Sequence, residues 1–344
     1  MRNSTFLTQR PIIQAPMAGV QGSALAIAVA KAGGVGSLPC AMLSPQALVK
    51  EIETIRSAGC EFYNLNFFCH LQPSVDTQRE LEWRTTLETY YREYKLVANN
   101  SDNSPSRQPF SESTLELIRP FRPPIVSFHF GLPARRWVNE IKSWGAEVWS
   151  TATTADEAVW LENNGADAVI AQGIEAGGHR GMFLSDDLST QLTFFELMAA
   201  IKDQVTVPII AAGGLGNPTQ LARAIACGAW AVQVGTAYLC CTECGTSAIH
   251  RAMLDDERAQ ITQVTNVFSG RPARGITNRL MTEIGPLSDV VPSFPYAASA
   301  LAPLRAAAEA RGRGDFSPLW SGTDTSGCRQ VSAREHTEWL TSDL

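Results

Sequence analysis

The chain alternates short runs that are apolar on both faces with longer segments whose apolar residues recur at helical spacing. Eight such runs cover residues 12–15, 34–38, 62–67, 125–128, 147–151, 168–171, 207–211 and 230–234. A strand apolar on both faces belongs in a parallel sheet that helices cover. Helical periodicity marks residues 24–31, 45–57, 135–144, 155–163, 194–202 and 219–227 between them. Strict strand and helix alternation at this length predicts the α/β class and a closed (β/α)8 TIM barrel, not an open doubly wound sheet.

Two stretches exceed what that scheme needs. Between the third and fourth strands an insertion runs over about residues 70–124. Its first part, through Tyr94, is rich in Glu, Arg, Leu and aromatics and reads as helix, while residues 98–109 read as an exposed loop around 99–106. After the eighth strand about a hundred residues remain, with helices expected near 247–259 and 297–310. The expected organisation is a barrel over 1–245 and a C-terminal helical and loop appendage over 246–344, packed on its top or side.

With 344 residues, 44% hydrophobic and 18% charged, the chain can bury a large core. Its net charge of −6 offers no broad attraction to nucleic acid or an anionic membrane, so an anionic ligand must be met by local groups. The eight cysteines read as free thiols of a cytoplasmic protein. Gln14 and Pro16 break the first apolar stretch, which argues against an export signal or a membrane span.

The chemistry concentrates at strand ends. After the sixth run stands Gln172-Gly173-Ile174-Glu175-Ala176-Gly177-Gly178-His179-Arg180-Gly181, which brings backbone donors and an imidazole to the mouth of one strand. Gly213-Gly214 follows the seventh run and Gln233-Val234-Gly235-Thr236 closes the eighth. Two glycine turns at the strand ends where barrels hold phosphate favour phosphate binding through main-chain N–H groups over turn formation alone. Asn217 is placed to cap the following helix. The third glycine of a dinucleotide fingerprint is missing after both Gly34-Val35-Gly36 and Gly214-Leu215-Gly216, which disfavours a Rossmann site.

His179 lies in a polar strand-end loop, where an imidazole can take a proton from carbon or, when charged, hold an anion. His129 ends the fourth strand and either lines the pocket or braces it; His70, His250 and His336 have weaker contexts. The Cys240–Cys244 spacing lacks a second ligand pair, so buried thiols are a better account than a metal site. Arg271 and Arg274 in Ser269-Gly270-Arg271-Pro272-Ala273-Arg274-Gly275 either sit over an anion or are solvated. No serine stands in a nucleophile elbow.

The ordered blocks Gln14-Ala15-Pro16-Met17-Ala18-Gly19, Asn64-Leu65-Asn66-Phe67-Phe68 and Val126-Ser127-Phe128-His129-Phe130-Gly131, with the three strand-end stretches above and the Ser269–Gly275 run, resemble the bacterial class I nitronate monooxygenases. The resemblance spans residues 12 to about 279. It implies an FMN enzyme that oxidises alkyl nitronates with O2, propionate 3-nitronate or a relative being the expected substrate, to a carbonyl product with nitrite or nitrate. No NAD(P)H is needed to start that cycle. By the same resemblance His179 is catalytic, and Met17, Asn66, His129, Gln172, Gly177, Gly178, Gly213, Gly214, Gln233, Val234, Gly235 and Thr236 bind FMN. Tyr296 aligns with one pocket tyrosine of the family. Pro292 and Ala300 stand where a second tyrosine and a lysine are expected, which bears on substrate choice and not on the flavin. The alternatives are an NAD(P)H-dependent FMN reductase of the enoyl-acyl-carrier-protein or quinone reductase type and a non-catalytic flavin-binding accessory protein.

Overall fold

The computed structural model describes residues 9–97 and 107–344, so the expected exposed loop over 99–106 lies outside the described residues. Eight parallel strands form the barrel: β1 (Ile12–Gln14), β2 (Gly36–Pro39), β3 (Tyr63–Phe68), β4 (Ile125–His129), β5 (Glu147–Ala152), β6 (Ala168–Gln172), β8 (Ile209–Ala212) and β9 (Ala231–Val234). The order β1-β9-β8-β6-β5-β4-β3-β2 closes on itself, because Gln14 N–H donates to the Val35 carbonyl and Val35 N–H to the Ile12 carbonyl, each at 2.9 Å. All eight expected strands are present, at slightly shifted ends. Ile13, Val35, Ile125, Trp149, Ile170 and Ile210 fill the barrel interior.

Around the sheet stand α1 (Ser23–Lys31), α2 (Pro45–Ser57), α4 (Glu112–Ile118), α5 (Arg135–Ser143), α6 (Ala155–Asn163), α7 (Phe194–Ile201) and α8 (Pro218–Ala226). The helix starts follow from local chemistry. Ser44 caps α2 ahead of Pro45, Thr193 and Glu196 form a capping box on α7, and Asn217 with Gln220 does so on α8. The apolar stripes of these helices and the outer faces of the strands make two large buried clusters.

The insertion supplies α3 (Thr77–Glu93) before α4. After β9 come α9 (Ala248–Leu254), β10 (Thr262–Thr265), β11 (Ala273–Ile276), α10 (Arg279–Ile284), α11 (Ala297–Glu309) and α12 (Ala333–Leu340). Helix α11 packs on α3, with Trp83 Nε1 donating to the Ala297 carbonyl at 3.2 Å and Tyr91 Oη to the Ala300 carbonyl at 2.7 Å. Helix α12 packs against α1 and α8 on the barrel wall. The hairpin β10–β11 extends to β7 (Gly178–His179), the two-residue strand that carries the expected catalytic histidine. Sequence periodicity is too short-ranged to reveal this three-stranded sheet, because its partners lie some ninety residues apart. Among the described residues no helix is long and apolar enough to cross a membrane.

Candidate active site

At the C-terminal mouth of the barrel lies a cleft of about 1430 Å³, open mouth included. Eleven of the expected cofactor residues and the catalytic candidate meet there or form its wall: Met17, Asn66, His129, Gln172, Gly177, Gly178, His179, Gly213, Gly214, Gln233, Gly235 and Thr236. Val234 is not among the lining residues. Its side chain belongs to the barrel–helix core, and its carbonyl accepts from Ala15 N–H at 2.8 Å, behind the strand end. Tyr296 also lies off the cleft, where its hydroxyl donates to the Pro73 carbonyl at 3.0 Å and accepts from Gln72 Nε2 at 2.8 Å. The ring of its near neighbour Phe294 stands 5.4 Å from that of His179, and it too is not among the lining residues. Ala300 is buried against α3, away from the cleft.

His179 is held by a web that starts one strand earlier. Gln172 donates from Nε2 to the His179 carbonyl at 3.0 Å and accepts at Oε1 from Gly181 N–H at 2.8 Å. His129 Nε2 meets the same carbonyl at 3.1 Å, and its Nδ1 meets Thr151 Oγ1 at 3.0 Å. Because a carbonyl only accepts, His129 carries its proton on Nε2 and accepts from Thr151 at Nδ1. Burial pushes its pKa down to about 3, so it is neutral. Below the loop, the buried Arg180 guanidinium donates to the carbonyls of Gly173 and Gln172 at 2.8 and 2.9 Å and fixes the turn.

The ring of His179 is oriented from the C-terminal segment. Its Nε2 lies 2.9 Å from Ser269 Oγ. That hydroxyl donates its own proton to the Arg271 carbonyl at 3.2 Å, so it accepts from His179 and fixes the imidazole proton on Nε2. Nδ1 is left with a lone pair and no protein partner among the described residues. The rings of Phe294, Trp320, Phe130 and Phe68 stand 5.4, 5.5, 6.2 and 6.3 Å away. Burial, then the positive charge of Arg107 and the nearby His129, Arg271 and His70, hold the His179 pKa well below its usual value. Arg107 lines the cleft, and Arg271 stacks 4.0 Å over Phe130.

The glycine turns form the other end. Gly213 and Gly214 have φ of +111° and +66°, which only glycine adopts readily, and a Cβ on Gly177 would stand 2.5 Å from the Gly322 nitrogen. The N–H groups of Gly213, Gly214, Gly235 and Thr236 have no acceptor among the described residues. Gln233 Oε1 is buried and unpartnered. A cradle of four unspent donors beside an unspent amide oxygen fits a phosphate-bearing cofactor. Sequence patterns missed Ser269 as a partner of His179, and Arg107, Trp320, His250 and Asp324 as cleft residues. Only Ser269 carried a signal, its place in the Ser-Gly-Arg-Pro run.

A model of the nitronate monooxygenase family matches residues 2–343. A nitronate monooxygenase from Pseudomonas aeruginosa is 37% identical over 98% of this chain and 96% of its own length, and one from Paraburkholderia phytofirmans is 38% identical over 97% and 92%. The chain belongs to the nitronate monooxygenase family. Among solved structures, the nitroalkane oxidase of Streptomyces ansochromogenes superposes with a TM-score of 0.89 at 35% identity, covering 98% of this chain and 96% of that one. FabK from Thermotoga maritima shares the fold, with a TM-score of 0.69 at 23% identity over 98% and 93%.

Proposed function

We propose that this member of the family oxidises alkyl nitronates, propionate 3-nitronate or a related one, with bound FMN and O2, yielding a carbonyl compound with nitrite or nitrate. The observation that carries the reading is a neutral, unpartnered His179 Nδ1 sharing one aromatic cleft with the glycine cradle. FMN, held by the Gly177–Gly178, Gly213–Gly214 and Gln233–Thr236 segments with Met17, Asn66, His129 and Gln172, would supply the electron acceptor that no side chain here provides.

The chain's own residues do the rest. Phe68 and Trp320 on the cleft wall, with Phe130 and Phe294 packed around His179 behind them, exclude water around the reacting carbon. With a neutral nitroalkane, Nδ1 of His179 takes the proton from the carbon next to the nitro group, while Ser269 accepts the Nε2 hydrogen bond that strengthens as the ring becomes charged. With a preformed nitronate no proton is taken. The positive field of Arg107 and Arg271 then favours the anion at the same place.

The test is an anaerobic absorbance spectrum of the purified protein before and after propionate 3-nitronate, NADH and NADPH are added separately. Loss of the oxidised flavin bands with the nitronate alone is expected. Bleaching only by a nicotinamide would move the protein to the reductase class, and no turnover of any nitronate would leave an accessory flavoprotein.

A further inference from the structure

The wall of the cleft separates its donors from its acceptors. The four main-chain N–H groups at Gly213, Gly214, Gly235 and Thr236 suit phosphate oxygens. Two acceptors with no role in the proton chemistry lie on the same wall. His250, in the first turn of α9, is 5% exposed, and its Nε2 has no partner among the described residues. Burial pushes its pKa down to about 4, so the ring is neutral and keeps one lone pair. With the ring's single proton on Nδ1, Nε2 is a buried acceptor that nothing among the described residues meets.

Asp324 repeats the pattern. Its Oδ1 accepts from Ser326 N–H at 2.8 Å, while its Oδ2 is buried without a partner. A Cβ on Gly216 would stand 3.1 Å from Oδ2, just past the Gly213–Gly214 turn. The strip that carries Asp324 is tied to the cradle by Gly322 N–H on Thr236 Oγ1 at 2.9 Å and by Thr323 N–H on the Glu175 carbonyl at 3.0 Å. A carboxylate oxygen and an imidazole lone pair repel a phosphate oxygen, so whatever meets them must donate. Buried acceptors left unmet are costly, which makes hydroxyl groups next to the phosphate the matching chemistry.

We infer that His250 Nε2 and Asp324 Oδ2 accept hydrogen bonds from the hydroxyl groups of a flavin's ribityl chain and so select a polyol-bearing flavin. This rests on the FMN reading above. The measurement is the dissociation constant of the full-length, flavin-depleted protein for FMN, riboflavin and lumiflavin, which lacks the polyol, followed by flavin fluorescence. His250→Phe and Asp324→Ala are each expected to weaken FMN and riboflavin about tenfold, the loss of one buried hydrogen bond. Lumiflavin binding should stay within about twofold, which also shows that the variants fold, and His250→Gln, which restores an acceptor, should recover FMN affinity.

Unchanged FMN and riboflavin affinity in both variants would overturn the inference, and so would a parallel loss for lumiflavin. A wild-type protein that binds none of the three would overturn the FMN reading and this inference together. Tight, polyol-dependent binding without nitronate turnover would overturn only the proposed activity.

Discussion

Ser269→Ala isolates the part of the mechanism that belongs to proton transfer. The hydroxyl accepts from His179 Nε2 at 2.9 Å and is itself fixed by the Arg271 carbonyl, so its loss frees the imidazole to rotate or to adopt the other tautomer. In the resting enzyme the bond joins neutral groups and contributes about 1 kcal/mol. As Nδ1 takes a proton from carbon the ring becomes cationic, and a hydrogen bond to a charged group contributes about 1.5–3 kcal/mol. The difference, about 0.5–2 kcal/mol, appears only in the transition state and predicts a fall of about 2- to 30-fold in kcat/KM for a neutral nitroalkane. A preformed nitronate has no proton to lose, so its kcat/KM should change by less than about twofold. The assay is oxygen consumption with nitroethane and with ethyl nitronate, measured side by side across pH. An equal loss on both substrates would refute the reasoning, because the hydroxyl would then support the cleft and not the base.

Three further outcomes follow from the same geometry. His179→Asn should cost about a hundredfold or more on nitroalkanes, measured as initial rates, while nitronate oxidation persists; full activity on both would remove His179 from the mechanism. Gly177→Ala drives a methyl group to 2.5 Å from the Gly322 nitrogen, so the melting temperature should fall by the equivalent of about 1–3 kcal/mol and flavin should be lost on gel filtration. His336 is fully buried between Tyr238 and Trp339 with neither ring nitrogen partnered, and burial pushes its pKa down to about 4. The folded state therefore binds this proton less readily than the unfolded chain. Its stability is intact above about pH 6.5 and lost as pH falls toward 4, by up to about 3 kcal/mol from this group. Denaturant melts of His336→Phe should show a shallower acid loss, and an unchanged pH profile would sink the assignment.

What the sequence made legible is what the barrel repeats. Ile12–Gln14, Ala168–Gln172 and the other strands are short, apolar on both faces and followed by capped helices, and each of these is a local signal. The glycine turns were readable for the same reason, since backbone that approaches a ligand closely needs glycine at a strand end whatever lies around it. The insertion was half legible: α3 showed through its composition, whereas α4 did not, because it follows directly on turn-rich sequence.

The setting of His179 was not readable, because it is made by contacts across the chain. His179 stood out as a residue, but its tautomer depends on Ser269 and its walls on Phe68, Phe130, Phe294 and Trp320. The place of Tyr296 depends on contacts that no local pattern shows. Its hydroxyl meets the Pro73 carbonyl and Gln72, while the ring of Phe294 stands 5.4 Å from that of His179. The positive charge near His179 was not readable either: position 300 packs on α3, and the guanidinium groups that act on His179 come from Arg107 in the insertion and Arg271 before β11. Arg107 lines the cleft, so a cation reaches it from the insertion without a lysine at position 300. Substrate preference in this chain should therefore follow Arg107, which lines the cleft, and not the residues at 292, 296 and 300, which do not.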